Sequence, residues 1–198
     1  MLHRLPWAIA LTLGVMLAGC RTVPTVHEPS TVTWEQRRPQ LQALDKFELK
    51  GRVGVAAGGE GFNARLRWTQ SGNQTRMSLD GPLGAGGVQI TSDGSALSIV
   101  TSRGDRLDND AARAELANRL GFDPPLDSLR YWILGVPEPG HPAQTSVDAQ
   151  QRLSSLEQDG WQIQYTDYML VRGEWLPSKL TLQRQGVRVR VVVDGWNS

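Results

Sequence analysis

One cysteine and three histidines are the whole supply of thiol and imidazole groups in this 198-residue chain, and their positions limit the chemistry available to it. Imidazole is the side chain that titrates near neutrality. His3 lies in a leader segment, His27 in a proline-containing stretch and His141 in a proline-rich loop. None stands in a motif with a Ser or Cys partner, and no two have the spacing of metal ligands. Asp108 and Asp110 come together at the start of a helical stretch, where attraction to the helix dipole accounts for them. The run Gly81-Pro82-Leu83-Gly84-Ala85-Gly86-Gly87 is not followed by Gly-Lys-Ser/Thr and is therefore no phosphate loop. The residues point away from an enzyme, and neither a cofactor nor a metal is expected.

Cys20 is more informative. Arg4 precedes a mostly apolar run, Trp7 to Ala18, and the small residues Ala18 and Gly19 lead directly into Cys20. This is the layout of an export signal with its cleavage site. A retained transmembrane anchor would need about 20 apolar residues, more than the run provides. Leu17-Ala18-Gly19-Cys20 resembles the lipobox of bacterial lipoproteins, which implies cleavage before Cys20 and lipid attachment to its sulfur. With no second thiol, no internal disulfide can form.

Residues 1–19 are thus read as a signal peptide, 20–33 as a lipidated flexible tether and 34–198 as a single domain. Pro24 and Pro29 among Thr, Ser, Val and Glu, without a hydrophobic period, are the basis for the tether. Loss of the signal removes Arg4 and no acid, so the remaining cations and anions balance. With no basic run either, nucleic acid is not an expected partner.

Within the domain the hydrophobic period is mostly two. Phe47, Leu49, Gly51, Val53 and Val55 alternate with Glu48, Lys50, Arg52 and Gly54, and Phe62, Ala64, Leu66 and Trp68 alternate with Asn63, Arg65, Arg67 and Thr69. Each run is a strand with one apolar and one wet face. Further strands are expected at Thr75–Leu79, Val88–Thr91, Leu97–Thr101, Leu153–Gln158, Trp161–Tyr165, Lys179–Arg184 and Val187–Val193. Short glycine-containing connections, among them Asp159-Gly160 and Gln185-Gly186, imply antiparallel hairpins.

Three stretches have helical character: Trp34 to Leu44, which Pro39 should interrupt or kink; Asp110 to Leu120, ending at Gly121; and Leu126 to Gly135 after Pro124-Pro125. Val136 to Val147, with three prolines, reads as a long loop. About nine to eleven strands in one chain should curve strongly or close into a barrel. Such a barrel either encloses a ligand under a helical lid or is filled by its own side chains; periodicity does not choose between them. Leu83 also stands open to two readings: a large apolar residue in a turn either folds back onto the core or, if exposed, can dip into a bilayer.

The lipobox, the Trp34 segment, Trp68-Thr69-Gln70, Pro82-Leu83-Gly84, Leu129-Arg130-Tyr131-Trp132-Ile133-Leu134-Gly135, Gln158-Asp159-Gly160-Trp161, Leu176-Pro177 and Trp196 together resemble the LolB family of outer-membrane lipoprotein receptors. The resemblance covers nearly the whole mature chain. It implies a mainly β fold with helices: an incomplete antiparallel β-barrel with a helical lid and an apolar cavity. It further implies a monomer anchored on the periplasmic face of the outer membrane that accepts client lipoproteins by their acyl chains from the periplasmic carrier LolA and releases them into the membrane phospholipid.

By the same resemblance Pro82, Leu83 and Gly84 form a membrane-insertion loop. Phe62, Leu66, Trp68, Leu79, Ile99, Trp132 and Ile133 are candidate cavity-lining residues. Arg21 after Cys20, in place of an Asp linked to inner-membrane retention, is compatible with outer-membrane sorting. The competing reading is a noncatalytic envelope lipoprotein that binds a protein or a glycan. A Cys20→Ala chain exported behind another signal is expected to keep lipoprotein binding and to deliver to membranes less selectively. Loss of binding in a folded Cys20→Ala chain would show that the anchor does more than tether.

Overall fold

A computed structural model describes residues 32–81 and 86–197. The signal, Cys20, most of the tether and the Pro82-Leu83-Gly84 turn lie outside the described residues. Helix α1, Trp34–Gln42, opens with a capping box: the Gln36 N–H donates to Thr33 Oγ1 at 3.4 Å and the Thr33 N–H donates to Gln36 Oε1 at 2.9 Å. The helix runs through Pro39 without the expected interruption. Proline there forgoes only the bond to the carbonyl of Glu35, an exposed residue.

Strands β1 (Lys46–Ala57), β2 (Glu60–Ser71), β3 (Gln74–Asp80), β4 (Val88–Ser92), β5 (Leu97–Thr101) and β6 (Arg106–Asp108) follow as a meander. Helices α2 (Asn109–Leu120) and α3 (Leu126–Trp132) interrupt it. The chain then returns as β7 (Ala143–Val147), β8 (Leu153–Gln158), β9 (Trp161–Val171), β10 (Glu174–Arg184) and β11 (Val187–Asn197). These form one antiparallel sheet in the order β6-β5-β4-β3-β2-β1-β11-β10-β9-β8-β7. β1 pairs with β11, while β6 and β7 remain as free edges, so the barrel is incomplete. Both edges are short, which limits the unpaired backbone they offer to another sheet.

Strict alternation in β1 and β2 sends Phe47, Leu49, Val53, Val55, Leu66 and Trp68 to the concave face and the charged residues between them to solvent. Gly51 marks where this sheet bends. The β1–β11 register shifts between Lys50 and Gly51, and a Cβ on Gly51 would lie 2.3 Å from the Val192 carbonyl oxygen. Around it the core is aromatic, with Phe47 edge-on to Trp68 at 5.6 Å and to Trp196 at 5.5 Å.

β11 runs on past Val193 to Asn197, and the strands depart further from the expected pattern in three places. β6 has 3 residues, too few to display a period. β7 occupies part of the expected long loop, and all 5 of its residues are exposed. An edge strand that buries neither face has no apolar alternation to reveal it. β9 and β10 extend past Tyr165 and begin before Lys179, because a register irregularity at Pro177 and Lys179 breaks the alternation. Arg172 and Gly173 close that hairpin with φ of 47° and 88°, the left-handed pair a two-residue turn needs. Gly51→Ala should cost about 1–3 kcal/mol through overpacking against the Val192 carbonyl, measured as a lower urea midpoint with unchanged slope.

Candidate functional site

The apolar pocket lies between the concave face and the segment from Leu120 to Ile133. The sheet supplies one wall through Val53 and Val55 of β1, Leu66 and Trp68 of β2, and Met77 and Leu79 of β3. Ile90, Trp161, Leu180, Leu182, Val189 and Val191 complete that wall. Over it lie Leu120, Phe122, Pro124, Pro125, Leu126, Leu129 and Ile133. Local sequence explains this cover. Gly121 ends α2 in the left-handed conformation with φ 79°, the two prolines turn the chain, and α3 presents Leu126, Leu129 and Ile133 at helical spacing.

The remaining cavity measures about 90 Å³. An apolar cavity of about 150 Å³ admits a benzene molecule, so the covered pocket has no room for a long hydrocarbon chain. The barrel is neither solid nor generously hollow.

Polar ties hold the C-terminal end of the lid. Gln158, buried on β8, accepts from Trp132 Nε1 and from the Glu138 N–H, both at 2.8 Å. Its amide nitrogen donates to the carbonyls of Glu138 at 3.0 Å and His141 at 3.2 Å. The buried Tyr165 hydroxyl donates to the Trp132 carbonyl at 2.8 Å, and burial pushes its pKa well above the usual phenol range. Trp34 Nε1 donates to the Gly135 carbonyl at 3.1 Å and joins α1 to the same point. By contrast, Leu120 to Leu129 meet the pocket through apolar contact, including Phe122 against Trp161 with ring centres 5.6 Å apart. Asp123 is paired with Arg113 at 3.3 Å, but that pair is solvent-exposed.

Of the candidate lining residues, Leu66, Trp68, Leu79 and Ile133 reach the pocket. Phe62 is half-buried near the start of β2, Ile99 is fully buried on β5 where α2 packs, and Trp132 is fully buried behind the pocket, its indole bonded to Gln158. None of these three lines the cavity. The contributions of Phe122, Trp161 and the facing positions of β10 and β11 were not singled out from sequence. Their apolar alternation marks burial but not which part of the core they share.

His141 stands outside the pocket. Its Nδ1 lies 3.0 Å from Asp159 Oδ2, and that hydrogen bond, with the charges of Asp159 and Glu138, raises the imidazole pKa. Ligand atoms of Glu138, His141 and Asp159 fall within 4.8 Å of one another, a proximity that sequence spacing had not suggested. Glu138 is also engaged, accepting from Ser128 Oγ at 2.7 Å. The group braces the loop after α3 against the β8–β9 turn.

An open antiparallel sheet with a helical cover over a wholly apolar pocket is the geometry on which comparison with known proteins bears. Residues 45–196 match the family described as "Outer membrane lipoprotein LolB". The chain belongs to the LolB family. It is 34% identical over 192 residues to the outer-membrane lipoprotein LolB of Nitrosococcus oceani, covering 96% of each chain. It is also 34% identical over 198 residues to that of Pseudomonas aeruginosa, covering 98% of this chain and 96% of the relative.

Among solved structures, a LolA superfamily protein from Nitrosomonas europaea superposes with a TM-score of 0.53 at 12% identity, covering 84% of this chain and 93% of that one. A DUF1329 family protein from Desulfovibrio piger gives 0.52 at 7% identity, covering 83% and 90%. These two likenesses concern the fold alone. LolB family membership assigns the chain to the periplasmic face of the outer membrane as a lipid-anchored protein that serves lipoprotein localisation.

Gln158→Ala should leave Trp132 Nε1 and the Glu138 N–H without their acceptor. At about 1–3 kcal/mol for each of the two unsatisfied buried donors, we expect a loss of about 2–6 kcal/mol in urea unfolding. A change below half a kilocalorie would show that water replaces the amide and that the tie is dispensable.

Proposed function

We propose that this LolB family protein accepts lipoproteins from the periplasmic carrier LolA, shelters their acyl chains between lid and sheet, and inserts them into the outer membrane. The observation that carries this reading is the pocket: every residue lining it is apolar, and part of its cover is held by apolar contact. Cys20 anchors the monomeric receptor, and Pro82, Leu83 and Gly84 form the loop that enters the bilayer.

Energetics restrict the route. Each buried methylene contributes about 0.8 kcal/mol, so even one long acyl chain represents on the order of 10 kcal/mol against exposure to water. The chains must therefore pass from one covered site to another. A cavity of about 90 Å³ cannot take them while covered, so the lid moves. The segment able to do so runs from Gly121 through Pro124 and Pro125 to the point where Gln158 and Tyr165 hold Trp132. Leu66, Trp68, Leu79 and Ile133, with Phe122 and Leu129, would then contact the chains. Transfer runs downhill from carrier to receptor to bilayer through differences in affinity, with no nucleotide consumed.

Transfer of a lipoprotein from purified carrier to this protein, and then to vesicles, tests the reading. Wild type should complete both steps. Leu83→Glu should accept the lipoprotein normally and deliver it at least tenfold more slowly, because a charge at the point of insertion opposes entry into hydrocarbon. Normal delivery by Leu83→Glu would overturn the loop assignment, and failure of the wild-type protein to accept a lipoprotein would overturn the function.

A further inference from the structure

The convex face carries a charge pattern that sheltering acyl chains does not require. Arg52 of β1 lies directly opposite Arg65 of β2, and Lys50 lies opposite Arg67. On the other side of β1, Gly54 and Ala56 face Arg190 and Arg188 of β11. Like charges directly opposite on one face of a sheet are destabilising. Acids among them are Asp194, bonded to Arg52 at 2.9 Å, and Asp80, which lies directly opposite Arg65 across the β2–β3 pair and is bonded to Arg67 at 2.8 Å. Arg65 and Arg190 have no ion-pair partner among the described residues.

These cations surround a shallow depression of about 550 Å³. Gly54 leaves its floor low between Arg52, Arg65 and Arg190, and Asn63, Asp80, Gly81 and Val192 complete the rim. A Cβ at Gly54 would stand 2.8 Å from Asn63 Oδ1, so a larger side chain there would intrude on the floor. Guanidinium groups converging from three adjacent strands suit phosphate, which they can meet with paired N–H donors.

We infer that this depression binds the phosphate headgroup of an anionic phospholipid, laying the arginine-bearing face of β1, β2 and β11 along the membrane surface. Charge complementarity is one ground. Continuity is the other: Gly81 lines the depression and the chain passes from it directly into Pro82 and Leu83. The choice of a membrane as partner rests on the proposed delivery to the bilayer. Headgroup capture would bring the receptor's loop to the surface in a fixed orientation before any apolar residue enters.

The test uses the mature chain with Cys20→Ala, so that the lipid anchor does not mask surface binding. Its cosedimentation is measured with phosphatidylcholine vesicles and with vesicles containing about one-third phosphatidylglycerol, at low and high salt. Binding should require the anionic lipid and weaken with salt. A cation near an anionic surface strengthens binding about fivefold, so Arg65→Gln with Arg190→Gln should weaken it about twenty-five-fold. Both side chains are exposed, and an unchanged thermal melt verifies folding. Arg103→Gln with Arg113→Gln removes equal charge elsewhere and should leave binding unchanged.

Equal binding to neutral and anionic vesicles, or an equal loss in the charge-matched control, would overturn the headgroup site. Acceptance of a lipoprotein from the carrier in solution should be unaffected by Arg65→Gln with Arg190→Gln. Loss of acceptance with vesicle binding intact would overturn the inference as well, by assigning the face to the carrier. Failure of the headgroup site with normal acceptance and delivery leaves the receptor function standing, so the two are separable.

Discussion

Everything in this molecule turns on covering the concave face of a sheet that does not close. Eleven strands bend far enough to enclose an apolar interior, but β6 and β7 never meet. A fully paired barrel would need no lid; an open one exposes Leu, Val, Ile and Trp side chains unless helices lie over them. The packing of α2 and α3, and the position of Phe122 between them, follow from that need. Under the proposed function, the same opening would let the cover be exchanged for a ligand of similar chemistry.

Directional and non-directional forces are divided across the lid. Hydrogen bonds to Gln158, Tyr165 and Trp34 locate Trp132, Glu138 and Gly135. Each bond specifies one geometry, and breaking it in the interior leaves a costly unpaired group. From Leu120 to Leu129 the contacts with the pocket are apolar, and apolar surface is indifferent to which hydrocarbon covers it. The lid is thus tied by hydrogen bonds at Ser128, Trp132, Gly135 and Glu138, and under the proposed function acyl chains would replace only its apolar contacts.

This division also explains what could be read from sequence. β1 and β2 were legible because each buries most of one face, so Val53 and Val55 or Leu66 and Trp68 alternate with charge. The Asp159-Gly160 and Gln185-Gly186 turns were legible because left-handed backbone restricts residue choice. β7 left no trace because it buries neither face, and the ends of β9 and β10 were lost where the irregularity at Pro177 shifts the phase. Ile99 and Trp132 were recognisable as buried but not as lying outside the cavity, since hydrophobicity records removal from water and not the neighbour that removes it. The approach of Phe122 to Trp161 joins distant parts of the chain and has no local signature.

A receptor that must also release has reason to keep its pocket nearly full. If the lid already satisfies the apolar wall, an incoming acyl chain gains only the difference between its own contacts and those it displaces. Affinity is then lowered by the fraction of time the pocket is closed. A permanently open cavity of the same chemistry would hold hydrocarbon more tightly and yield it to a bilayer less readily. Under the proposed function, a residual volume of about 90 Å³ would let the lid act as a competing internal occupant and keep the next transfer downhill. The arginines and the apolar pocket stand on opposite sides of the same strands, so the proposed surface attraction and acyl shelter could be adjusted independently.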